Sequence, residues 1–159
     1  MISLDPYRRT RIRSGLVEWL QSGEFTHAVT LNFNRGDLAL RSQERLFSIW
    51  CMEMDRLRRG GGKVHRLPTH ERLHAIALPE KPHSNAHLHV VADLRFADQR
   101  DMTDRDIDRV VGRIWKKLTK GSGSSQTVRI HDGGWAWYMT KEAVRHNNIY
   151  FLAATYHAA

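Results

Sequence analysis

Residues 86–94 read Ala86-His87-Leu88-His89-Val90-Val91-Ala92-Asp93-Leu94, an apolar run broken by two histidines spaced two apart. On a β-strand successive side chains point to opposite faces, so His87 and His89 project together while Leu88, Val90 and Ala92 point the other way. The neighbouring sequence supplies a sheet for this strand. His70 to Leu78 reads as a second strand, joined to the first by the turn-rich Pro79-Glu80-Lys81-Pro82-His83-Ser84-Asn85. His27 to Asn34 alternates Val29, Leu31 and Phe33 against Thr30 and Asn32, a third strand pattern.

Helical spacing appears between and around these strands. Ile12, Leu16, Trp19 and Leu20 share one face of a helix over Arg8 to Leu20, which Gly23 ends. Leu46, Trp50, Met54 and Leu57 repeat helically over Arg41 to Arg59, and Gly60-Gly61-Gly62 stops them. Thr103 with Asp106 resembles a capping box, followed by the cleanest stripe of the chain: Ile107, Val110, Val111, Ile114, Trp115 and Leu118. After the loop Gly121 to Ser125 come a short strand (Thr127 to Ile130), a helix opening near Gly134-Trp135, and a last strand from Asn148 to Ala154. No repeat is present. The order predicts an α+β domain with a central antiparallel sheet and flanking helices, ferredoxin- or RRM-like in outline. Trp19, Trp50 and Trp115 are expected in the core, with Cys51.

Composition narrows the partners. The chain has 159 residues, enough for one core and rarely two. Its 25 Lys and Arg against 17 Asp and Glu give a net charge of +8, which draws a domain to polyanions, nucleic acid first. No apolar run approaches a membrane span and the start lacks a signal-peptide core, so a cytoplasmic protein without a membrane partner is expected. A single cysteine excludes an internal disulfide and a thiolate zinc cluster. Gly60 to Val64 lacks the Ser/Thr and glycine spacing of a P-loop, and no Gly-x-Ser-x-Gly occurs.

Three groups of residues carry chemistry. Two adjacent imidazoles, His87 and His89, hold a divalent ion when a third ligand joins them, and Glu80, across the hairpin, is the first choice. About 0.6 His-x-His pairs arise by chance among 10 His in 159 residues, so the pair draws its meaning from its setting. Strict alternation puts Glu80 on the face of Ile76 and Leu78, the expected apolar side, unless a bulge or an early strand end releases it. His83, His74 and Asp93 stay as substitutes. The second group is Tyr138-Met139-Thr140-Lys141: on a helix, residues three apart are neighbours, and an ammonium beside a phenol stabilises phenolate. The third is basic and aromatic: Arg8, Arg9, Arg11 and Arg13, the arginine-rich stretch from Arg56 to Lys63, and the helix bearing Arg109, Arg113, Lys116 and Lys117. These cations are suited to phosphate contacts, and Trp135 or Trp137 to base stacking.

The order of these motifs resembles the HUH endonucleases, notably rolling-circle replication initiator (Rep) proteins with a single catalytic tyrosine. The matching stretches are the apolar strand from His27 to Asn34, HLHVV from His87 to Val91, and YMTK from Tyr138 to Lys141, over roughly Phe25 to Leu152. The resemblance implies residues 25–159 as the endonuclease domain within one globular unit, with 1–24 as a basic helical extension. It implies Mg²⁺ or Mn²⁺ on His87, His89 and Glu80, nucleophilic attack by Tyr138, and Lys141 beside it. It also implies contacts to single-stranded DNA, or to an origin hairpin, through Arg8, Arg9, Arg11, Arg13, Asn32, Trp135 and Trp137. The activity implied is nicking and joining through a 5′-phosphotyrosine, in replication or mobilisation of a plasmid- or phage-type element. A helicase would act in trans and the protein would be a monomer or weak dimer. The length also fits the single-tyrosine transposases of the same superfamily, an alternative ranked second because those typically carry a Gln downstream where this chain has Lys141. Tyr150 and Tyr156 lack a lysine three residues on. Two competing readings are a non-catalytic RRM-like nucleic-acid-binding module and a water-activating metal nuclease in which Tyr138 is structural.

Overall fold

The computed structural model describes residues 5–81, 83–96, 102–144 and 152–153. Its elements are α1 (Pro6–Ser22), β1 (His27–Asn32), α2 (Leu40–Arg58), β2 (Ala75–Glu80), β3 (His87–Ala92), α3 (Asp104–Leu118), β4 (Ser124–Arg129), α4 (Gly134–Ala143) and the two-residue β5 (Leu152–Ala153). The strands form one antiparallel sheet in the order β4-β1-β3-β2-β5. The α+β architecture with a central antiparallel sheet and flanking helices is thus as expected, and β1 to β4 with α2 and α3 follow the split βαβ order of ferredoxin-like folds.

Both faces of the sheet are covered, and each has its own core. On one face Val29, Leu31, Leu88, Val90 and Ala77 pack against Phe47, Trp50, Cys51 and Met54 of α2 and Ile107, Val111 and Trp115 of α3. On the other, Ile76, Leu78 and Val91 pack against Val17 and Leu20 of α1 and Ala136 and Met139 of α4. Strand β3, central and covered twice, is buried at every position, whereas β1 alternates buried and half-buried residues. The second helical layer lies over β2 and β3. The β1–β4 half of that face stays open, with Ser124 and Gln126 exposed and Thr30 and Asn32 half-buried.

Several boundaries differ from the sequence reading for local reasons. β2 starts at Ala75 rather than His70, because a 3₁₀ turn over Thr69–Glu71 precedes it and the Leu73 amide donates to the buried Asp55 carboxylate at 3.0 Å. β2 also runs through Pro79 to Glu80, and β4 begins at Ser124, inside the expected loop. The capping box forms as read, with Thr103 Oγ1 accepting from the Asp106 amide and Asp106 from the Thr103 amide. Trp50, Trp115 and Cys51 are fully buried, but Trp19 is half exposed: α1 turns Val17 and Leu20 inward instead. Of the strand expected over Asn148 to Ala154 only 152–153 are described. The rest, with Tyr150 and Tyr156, lies outside the described residues. No described helix is long and apolar enough to cross a membrane.

Two buried polar groups generate predictions. Asp55 is fully buried, pairs with Arg58 at 2.8 Å and accepts from the Leu73 amide. Asp55→Ala strands both partners and is expected to lower the unfolding free energy by roughly 2–4 kcal/mol in urea titration. His27 is buried at the start of β1. Its Nδ1 is 2.8 Å from Thr26 Oγ1 and its Nε2 stands 3.5 Å from Asp104 with no hydrogen bond. Burial, helped by the Arg129 charge, holds its pKa below the usual histidine value, against the opposing pull of Asp104. The unfolded chain therefore takes up this proton first, so the contribution of neutral His27 is complete above about pH 6.5 and is lost as pH falls through the folded-state pKa. A His27→Gln variant should show a shallower acid-side fall in stability, and equal slopes would contradict a neutral buried ring.

Candidate functional site

The register of the β2–β3 hairpin builds a three-residue cluster. Glu80 lies directly opposite His87, and Leu78 opposite His89. Cross-strand partners share a face, so Glu80, His87 and His89 project from the same side of the sheet. Alternation does place Glu80 with Ile76 and Leu78, as read from the sequence. That face, however, is the one bearing the histidines, and its apolar part is the second core under α1 and α4. Glu80 needs no bulge to reach the imidazoles; it stands one step beyond that core.

Glu80 Oε2 is 2.8 Å from His89 Nε2 and 3.6 Å from His87 Nε2. The two rings are nearly perpendicular, with centroids 4.9 Å apart. His87 Nδ1 is 2.8 Å from the Asn85 carbonyl, which only a protonated Nδ1 can satisfy, so Nε2 is the ring nitrogen turned toward Glu80. His89 has its pKa lowered by burial; Glu80 opposes this, while His87 and the Lys141 ammonium add to it, so the neutral, ligating form is favoured. The three donor atoms lie within 4.8 Å of one another. Ligands about 2.0–2.2 Å from one small ion sit roughly 3.0–3.5 Å apart, so modest side-chain movement brings these donors onto a common ion. Glu80, His87 and His89 can therefore hold a metal ion.

The substitutes are placed elsewhere. His83 is exposed and 3.3 Å from Asp37, His74 stacks on Phe25 with ring centroids 4.6 Å apart, and Asp93 is tied to Arg95, whose hydrogen bonds outweigh burial and lower its pKa.

Helix α4 lies over the same face. The ring of Tyr138 meets His89 edge-on with centroids 5.4 Å apart, and Lys141 Nζ is 5.6 Å from the Tyr138 ring centroid. Tyr138 remains 63% exposed rather than packed in the core. The sequence reading pointed to these two residues from their spacing alone, and the structure brings both to the histidine face.

The other candidates divide. Asn32 is paired in register with His87 on β1 and so flanks the cluster. Trp137 is exposed beside Tyr138, but Trp135 is half-buried in the second core, edge-on to Phe25. Arg8 and Arg11 are exposed and Arg9 half-buried. Arg13 has a role that sequence did not reveal. Its Nη2 donates to the Trp137 carbonyl at 2.6 Å and its Nε to Thr140 Oγ1 at 3.3 Å, and its guanidinium lies 4.9 Å over the Trp137 ring. It thereby ties α1 to the turn of α4 that carries Tyr138, a contact spanning 124 residues that no local pattern announces.

Against family models, curated proteins and solved structures, the chain finds no match. The site's geometry alone therefore defines a class: a sheet-borne His-Glu cluster able to hold a metal ion, faced by a tyrosine–lysine helix.

Metal binding is directly testable. Titration with Mn²⁺ should raise the melting temperature by several degrees at saturating metal, since binding at a hundred times Kd contributes about 2.7 kcal/mol. Glu80→Gln and His89→Gln should each abolish most of that shift. An undiminished shift in either variant would place the metal elsewhere.

Proposed function

We propose that this chain nicks and rejoins single-stranded DNA by transesterification on Tyr138, as in replication initiation or mobilisation by HUH endonucleases. The observation that supports the reading is the edge-on contact of Tyr138 with His89, on the face where Glu80, His87 and His89 converge. A phenol, a cation and a metal-ligating cluster within one small area form the set that phosphodiester transfer needs.

The residues divide the work. A hard divalent ion, Mg²⁺ or Mn²⁺, supplies Lewis-acid polarisation of a phosphoryl oxygen when bound at this cluster. Glu80, His87 and His89 fix the position of the scissile phosphate relative to α4. The Tyr138 oxygen forms a bond to phosphorus as the bond from phosphorus to the 3′ oxygen breaks, and the phenolic proton ends on the departing 3′-hydroxyl. Lys141 stabilises phenolate character before attack and negative charge after it. The phosphotyrosine keeps one phosphodiester linkage, so another 3′-hydroxyl reverses the step without a nucleotide cofactor. Arg13 keeps the Tyr138 turn in register with the cluster through Trp137. The open β1–β4 half of the same face, with Asn32 next to the cluster, offers a floor for the strand beyond the phosphate.

A labelled single-stranded oligonucleotide pool incubated with Mn²⁺ should yield a covalent adduct visible on a denaturing gel. Tyr138→Phe should abolish the adduct while binding changes less than about threefold, and Lys141→Ala should slow it by roughly 10²-fold. Cleavage that persists without an adduct would assign the chemistry to activated water. Binding without cleavage across the pool would favour a non-catalytic module.

A further inference from the structure

Helix α3 carries a row of cations on the side away from the core. At about 100° per residue, Arg105, Arg109, Arg113 and Lys116 fall within roughly 80° of the helix circumference, and Ile107, Val111 and Trp115 occupy the opposite side. All four cations are exposed. Arg105, Arg113 and Lys116 have no ion-pair partner among the described residues, and Arg109 is 3.8 Å from Asp106, which is already held in the capping box. The row is about 17 Å long at 1.5 Å per residue. It lies across the sheet from the Glu80–His87–His89 cluster, so none of these cations belongs to that site.

From this we infer that the outer face of α3 is a second nucleic-acid surface, one that takes the phosphate backbone of a duplex beside the nicked single strand. A row of exposed cations about one helical turn apart, three of the four without an ion-pair partner among the described residues, complements a regular line of phosphates. The face has no aromatic side chain on which unpaired bases would stack, as single-strand surfaces do. Nor has it the exposed apolar residues a membrane-surface helix needs, since the exposed large hydrophobics (Tyr7, Trp19, Leu40, Val128, Trp137 and Tyr138) all lie off α3.

The direction of the row matters as well. Its C-terminal end leads to Lys120, which with Arg35 borders a cavity of about 170 Å³ lined by Phe33, Leu38 and Leu118. This is the end of the sheet where Asn32 stands opposite His87. Positive charge therefore continues from α3 around the sheet end toward the metal cluster, the path a strand leaving a duplex would take. The inference extends the nicking proposal by naming the structure next to the cut, but its test does not depend on that proposal.

The full chain is titrated with a short blunt-ended DNA duplex, in chelator, at several salt concentrations. Four phosphate contacts give a slope of log K against log salt near −3.6. Arg105→Gln/Arg113→Gln/Lys116→Gln should bring the slope to about −0.9 and weaken binding more than tenfold at low salt. A variant of equal net charge, Arg41→Gln/Arg45→Gln/Arg66→Gln, at exposed positions off α3 and away from the cluster, should keep the wild-type slope, as should Tyr138→Phe. The inference is overturned if the wild-type chain does not bind the duplex, if the α3 variant keeps its slope, or if the charge-matched variant loses as much. Adduct formation by the α3 variant on an unpaired oligonucleotide should proceed at the wild-type rate. Its loss there with an unchanged melting curve would assign these cations to the nicking site and overturn the inference too. Absence of the adduct in the wild-type chain, with the duplex slopes as expected, would sink the nicking proposal alone.

Discussion

A one-residue slip in the pairing of β2 with β3 would send either Glu80 or the two histidines to the other face of the sheet, because side chains alternate with a period of two. The observed register, Glu80 opposite His87 and Leu78 opposite His89, is what turns three separate residues into one donor set. Both strands have residues buried on each face, so a slip would also exchange the contents of two cores. The same packing that excludes water from Ala77, Val90, Ile76 and Val91 thus holds the ligands in place. The metal cluster borrows its rigidity from the hydrophobic effect.

The site stands where a covered surface becomes an open one. α1 and α4 close over β2 and β3, leaving Glu80, His87 and His89 at the margin with only slivers of exposure, and β1 and β4 present a polar floor beside them. Burial holds the pKa of His89 down and so favours its neutral ring, while the cluster stays accessible from one side. Lys141 on α4 sets a cation beside it. The basic surplus of the chain is likewise uneven, with one row of exposed cations on α3, on the reverse side of the sheet.

Helix α1 is the element whose contribution is least local. Read as a basic N-terminal segment, it offers arginines to a nucleic acid. In the structure it contributes Val17 and Leu20 to the second core, and its Arg13 faces inward to brace the backbone next to Tyr138. One face of the helix therefore supports the helix that carries Tyr138, and Arg8 and Arg11 remain at the surface.

Period and punctuation made much of this legible in one dimension. The alternation in β1, the apolar stripe and capping box of α3, the glycines ending α2 and the parity of His87 with His89 are local properties, set by backbone geometry within a few residues. The Tyr138–Lys141 pair belongs to the same kind, since helical spacing alone makes them neighbours. Glu80 was nameable as a ligand, but its orientation was not: alternation reports which residues share a side without reporting what lies on that side, and here both sides carry a core. Trp19 shows the same limit, an aromatic on an apolar stripe that the packing of α1 against α4 leaves half in water. The meeting of Tyr138 with His89, the Arg13 brace and the placement of the α3 cations on the face opposite the metal cluster depend on contacts between residues far apart in the chain. Those arise from how helices seat on a twisted sheet to bury the most apolar area, a choice that no window of neighbouring residues encodes.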